Sequence, residues 1–142
     1  RDAPPGLAAF RLTPASRSGV EILSHLVDLM RWAERLAHGE YRWEAAGVND
    51  WDTAVEQFFA ALAKVDAALA DTTLAPYPAG VMFQGPIADA LTHVGQLAMM
   101  RGVAGEPVRP ESYARATIEP GRVGREQAPG REFDGDASRP VT

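Results

Sequence analysis

Four residues late in the chain have the types and spacing to do chemistry together. Asp89, His93, Gln96 and Met100 follow one another at steps of four, three and four, which puts them on one face of an α-helix. A carboxylate and an imidazole one turn apart on a rigid helix can both reach a single metal ion. An Asp–His pair at this spacing is more often a surface contact or a hydrogen bond, so it needs further donors before it counts as a site. The stretch that carries the pair, QGPIADALTHVGQLAMMRGV from Gln84 to Val103, reads as a helix starting at Gly85-Pro86. Proline is tolerated at the first helical position, where its missing N–H is not needed. Asp89 then falls in the first turn, where the helix dipole favours an ionised carboxylate.

A third donor comes from an earlier helix. Ile22, Leu26, Leu29, Ala33 and Leu36 form an apolar stripe that ends near Ala37, and Ser18 with Glu21 has the spacing of a capping box at its start. His25 sits beside that stripe, with Asp28 and Trp32 on its own edge. Taken with this helix alone, His25 reads as a half-buried core histidine. His38 precedes Gly39 and is placed to interact with the last carbonyls of the helix.

A second helix is expected from about Asp50 or Trp51 to Leu69. Its apolar positions Trp51, Val55, Phe58, Leu62, Val65 and Leu69 give the cleanest amphipathic pattern in the chain, and Asp50, or Thr53 with Glu56, supplies its cap. No chemistry is legible there. Residues 1–16 carry three prolines and read as an extended lead-in from which Phe10 and Leu12 can pack on a neighbour. Residues 39–50 form a connection in which Tyr41 and Trp43 cover a core edge, and residues 70–83, with two prolines and a glycine, form another. Gly95 inside the third helix costs roughly 1 kcal/mol relative to Ala, a cost that a close helix–helix approach would explain. That helix ends near Gly102 or Gly105.

The organisation expected is therefore all-α, with a helical bundle over 1–105 and an extended Pro/Gly-rich tail over 106–142. In the tail Tyr113, Ile118, Val123 and Phe133 are spaced as single anchors laid over the bundle, with a short turn around Ser112–Ala116 and a disordered end. A chain of 142 residues suits one domain with a real core. The net charge of −5 argues against a nucleic-acid surface, which needs a basic stripe. No run of about 18 apolar residues is present to span a membrane, no secretory signal is visible, and a cytoplasmic location is the default. Cysteine is absent, which removes disulfides and any cysteine nucleophile and leaves His, Asp, Glu and water as metal ligands.

Three motifs in order, SGVEILSHLVDLMRW at 18–32, the central amphipathic helix, and GPIADALTHVGQLAMMR at 85–101, resemble the DinB/YfiT-like superfamily of metalloenzymes built on a four-helix bundle. The resemblance covers roughly residues 10–105. It implies that His25 matches the family's first metal histidine, on its second bundle helix. His93 matches the last, followed by Gly95-Gln96 at the family's Gly-Gln, and Asp89 stands where the family commonly has a histidine. A His, Asp, His set is chemically sensible, since three protein ligands leave positions open for water or substrate. Zinc or nickel are the expected ions, with manganese and iron as alternatives that ligand type alone does not separate.

The resemblance also implies a function. Relatives include thiol-dependent S-transferases and a mycothiol-dependent isomerase, so a small-molecule substrate and a low-molecular-weight thiol are the expected partners. The thiol must come from a cosubstrate, as the chain has no cysteine. In that reading Gln96 orients a ligand or substrate, and Asp28 is a weaker supporting residue. The competing reading is a non-catalytic helical module that self-associates, with at most a structural metal.

One expectation concerns a missing element. His25 lies on the first readable helix, whereas the family's first metal histidine lies on the second, so residues 1–16 hold no counterpart of the opening helix. Three amphipathic helices leave one flank of such a bundle uncovered. An upstream helix trimmed before Arg1, the tail laid across the gap, or a second copy of the chain would each cover it. A homodimer pairing helices across a two-fold axis is the preferred expectation.

Overall fold

The computed structural model describes residues 3–127, and among these it is all-helical, without strands. Helix α1 runs Gly19–Ala37 and α2 runs Trp51–Ala70. A short turn α3, Ala79–Met82, passes through a π-helical stretch, Phe83–Ile87, into α4, Ala88–Val103. A single 3₁₀ turn follows at Tyr113–Arg115.

The capping box of α1 forms as its spacing predicts. The Ser18 hydroxyl accepts from the Glu21 N–H, and the Glu21 carboxylate accepts from the Ser18 N–H at 2.7 Å. Arg11 pairs with the same carboxylate at 2.7 Å and holds its pKa down at about 2. Below the cap, Leu26, Leu29, Ala33 and Leu36 are buried as the stripe requires. Each of the leucines contributes roughly 2 kcal/mol of apolar transfer.

Helix α1 is the common partner of the other two long helices. It packs against both α2 and α4, while no Cα pair of α2 and α4 comes within 8 Å. On α2 the closest packing falls on Ala54, Ala61 and Ala68, which are buried together with Val65. Trp51, Val55, Phe58 and Leu62 flank that seam and are only partly covered. Leu69, expected in the core, is exposed. Small side chains let the two helix backbones approach, so the seam follows the alanines and the larger residues lie beside it. Asp50 is the cap of α2, accepting from the Thr53 N–H at 2.8 Å.

The helix carrying Asp89 starts at Ala79, not at Gly85-Pro86, so residues 79–83 are helical and not connection. Pro86 has no N–H to give an i→i−4 bond, and the π stretch widens the helix around it. Ile87 is itself helical, at φ −77 and ψ −47, so Asp89 lies within a continuing helix and not at its free N-terminal end. Gly95 faces open space and makes no close approach, whereas a Cβ on Gly85 would come within 3.1 Å of the Trp32 ring.

The lead-in is folded in turns rather than extended. Its Leu7, which no periodicity marks, is buried with Ile22 and Met100. Phe10 packs partly on that cluster, and Leu12 is exposed. The lead-in clasps the start of α1 through Gly19 N–H to the Phe10 carbonyl and Val20 N–H to the Ala8 carbonyl.

In the tail Tyr113 and Ile118 are 83% and 82% exposed and anchor nothing. The segment touches the bundle through Gly121 N–H, which donates to Asp66 at 3.3 Å, and through Val123, which lines a groove beside α2. Phe133 and the expected disordered end lie outside the described residues.

Two glycines of α1 and α4 make opposite predictions. A Cβ on Gly19 would lie 2.2 Å from the Leu7 carbonyl oxygen, so Gly19→Ala must displace the lead-in and should destabilise by about 1–3 kcal/mol. Gly95→Ala meets open space within a helix and should stabilise by up to about 1 kcal/mol. Urea unfolding midpoints of the two variants should move in opposite directions.

Candidate metal centre

The site is built by two helices that meet edge to edge. Helix α1 presents His25 one residue off its buried stripe, and α4 presents Asp89, His93 and Gln96 on the flank that faces α1. The structure brings His25, Asp89 and His93 together, each offering a ligand atom within 4.8 Å of the others. The Asp89 carboxylate lies between the rings. Its Oδ2 is 3.4 Å from His25 Nε2, and its Oδ1 is 3.4 Å from His93 Nε2. The two imidazoles meet edge to face, with centroids 4.7 Å apart.

The donor atoms are available for an ion. Gln96 Oε1 lies 2.8 Å from His93 Nδ1, so Nδ1–H donates to the amide oxygen. That tautomer leaves the Nε2 lone pair facing Asp89 and His25, which is the role outer hydrogen bonds play at metal-binding histidines. At His25 burial is the largest influence and lowers the pKa below its ordinary value. The charges of His93 and Arg17 lower it further, against the opposing pull of Asp89. A neutral imidazole is the form that binds a metal. Two imidazole nitrogens and one carboxylate oxygen fit a divalent ion, and the group could hold one.

Asp28 is not brought to this group. It is buried, and its Oδ1 accepts the Ala46 N–H at 2.9 Å, while Ser24 Oγ accepts the Val48 N–H at 3.0 Å. These two bonds fix the 39–50 connection on α1. The connection in turn lays Trp43 edge-on against His25, at 5.6 Å between centroids, and against Trp32 at 5.7 Å. Asp28 thus acts on His25 through the loop. Neither this role nor the backbone partner could be read from the sequence, because the Ala46 N–H carries no side-chain signal.

An open cavity of about 610 Å³ lies over the triad, within the usual range of small-molecule sites. Besides the triad it is lined by Leu12, Ser16, Arg17, Ile22, Gln96, Met99 and Met100. Arg17 was not singled out in the sequence, since an arginine before a helix cap has no distinguishing pattern. No protein-family model, curated protein or solved structure matches this chain.

The depressed pKa of His25 fixes the sign of a pH effect. Below the ordinary imidazole value near about 6.5 the unfolded chain takes up a proton that folded His25 refuses. Stability of the metal-free protein should therefore fall as the pH drops from about 6.5 through the folded value. Comparing melting temperatures across that range, the fall should be shallower in His25→Ala than in the parent chain.

Proposed function

We infer that this chain is a divalent-metal-dependent enzyme of the DinB-like kind, acting on a small molecule with a low-molecular-weight thiol or water as nucleophile. The observation that carries the reading is the convergence of His25, Asp89 and His93 at one wall of an open cavity. The resemblance of residues 18–32 and 85–101 to that superfamily supports it. His25, Asp89 and His93 would hold the ion, zinc or nickel in this reading, with manganese and iron open to the same ligand set. Held by these residues, a divalent ion would supply the means to lower the pKa of a thiol or water. The chain's own residues prepare for this. Gln96 keeps the His93 Nε2 lone pair free, Asp89 supplies one negative charge, and Trp43 covers the outer edge of His25.

Elemental analysis of protein purified without a metal-affinity tag tests the reading directly. About one equivalent of a divalent transition metal is expected, and His93→Ala should lose it while the helical circular dichroism persists, because the apolar core lies elsewhere. Metal affinity should drop as the pH falls below about 6.5, where protons compete for the imidazoles. Unchanged metal content in His93→Ala, or an affinity that is flat between about pH 5 and 8, would refute it.

A second observation favours self-association, whether alone or together with catalysis. The face of α4 turned away from α1 carries Leu91, Val94, Gly95, Ala98 and Gly102, with Arg101 at its edge, and Leu91 is 61% exposed. Helix α2 does not approach it. A second copy placed across a two-fold axis would set the bulky Leu91 and Val94 of one α4 against the glycines of the other. Light scattering should report a dimer that Leu91→Glu converts to monomer. A monomeric parent chain that binds no hydrophobic dye would count against it.

A further inference from the structure

Arg17 stands out among the residues around the cavity. It directly precedes the Ser18 cap, near the positive end of the α1 dipole, and it lines the cavity together with His25. Its charge is close enough to help lower the proton affinity of that imidazole. The neighbouring Arg11 is committed to Glu21, but among the described residues Arg17 pairs with no carboxylate. Most of the remaining wall, Leu12, Ile22, Met99 and Met100, is apolar, and the polar Ser16 and Gln96 are hydrogen-bonded to Thr13 and His93. A lone guanidinium above an apolar wall is a place for a molecule with one anionic end and one apolar body.

We propose that the cavity takes an organic monocarboxylate, its carboxylate on Arg17, its apolar body on Leu12, Ile22, Met99 and Met100, and its reacting end toward His25, Asp89 and His93. The charge of Arg17 beside the cavity favours an anionic ligand over a neutral one, with or without an ion. A carboxylate suits the site better than a phosphate because the donors are few. The Ser18 and Glu21 N–H groups are used within the capping box, so a dianion would find a single guanidinium. The inference rests on the metal reading only for the chemistry at the far end of the ligand.

The test uses the full chain, stripped of metal with a chelator, and isothermal titration with 4-phenylbutyrate, its neutral amide 4-phenylbutyramide, and benzyl phosphate. The acid should bind about tenfold more tightly than the amide. Arg17→Gln should bring the acid down to the amide's affinity while leaving the amide unchanged, and Arg17→Lys should restore part of the preference. Equal binding of acid and amide by the parent chain, or an unaltered preference in Arg17→Gln, would overturn the proposal. Tighter binding of benzyl phosphate would overturn the choice of a carboxylate. A parallel zinc titration separates the two readings. Failure to load zinc with the Arg17-dependent preference intact refutes the metal site alone, and normal loading without the preference refutes this inference alone.

Discussion

Everything in this fold depends on the burial of one helix on two sides. Helix α1 is packed by α2 along one seam and by α4 along another, and those two do not approach each other. Any shift of α1 therefore moves the core and the site at once, since His25 belongs to the same helix as Leu26 and Leu29. The ends of α1 are held accordingly. Its start has the reciprocal Ser18–Glu21 bonds and the clasp of the lead-in at Gly19, and its end has Gly39 at φ +79, the left-handed conformation that closes a helix.

The site inherits its character from this arrangement. Helix α4 reaches the rest of the protein chiefly through α1, and the contact includes polar residues as well as the apolar Ala90 and Leu97. A carboxylate between two imidazoles is a weak adhesive while the imidazoles are neutral. Polar groups in a helix seam, in place of wholly apolar packing, are a pattern common at functional sites. An ion bridging His25 to Asp89 and His93 would close a loop of more than sixty residues. It would tie α4 to the central helix α1.

How much of this was legible in the sequence depends on the range of the interactions. The capping box and stripe of α1, the Asp50 cap of α2 and the shared face of Asp89, His93 and Gln96 all rest on neighbours within one or two turns, and the local pattern carries them. The buried seam of α2 did not follow from its apolar spacing. A 3.6-residue period marks the side that faces inward, but the closeness of α1 chooses Ala54, Ala61 and Ala68 over Leu69. Leu7 was missed because a leucine between two prolines and an alanine pair has no periodicity at all. Asp28 beside His25 suggested a supporting role at the triad, and the structure spends that carboxylate on a backbone N–H eighteen residues away. The start of the last helix was misplaced at Gly85-Pro86 because proline marks a helix start far more often than the interior of a π turn.

That π turn has a consequence for the length of the chain. Each residue of an α-helix rotates the next by about 100°, and the wider turn over Phe83–Ile87 absorbs part of one such step. It therefore sets the phase between the stretch that seats Met82 and Pro86 in the core and the stretch that aims Asp89 and His93 at α1. Between Ala79 and Ile87 the helix has in effect a reading frame. With the π turn kept, deleting one residue there would leave every donor in the chain, yet turn the two ligands away from α1 and bring Ala90 and Val94 round in their place.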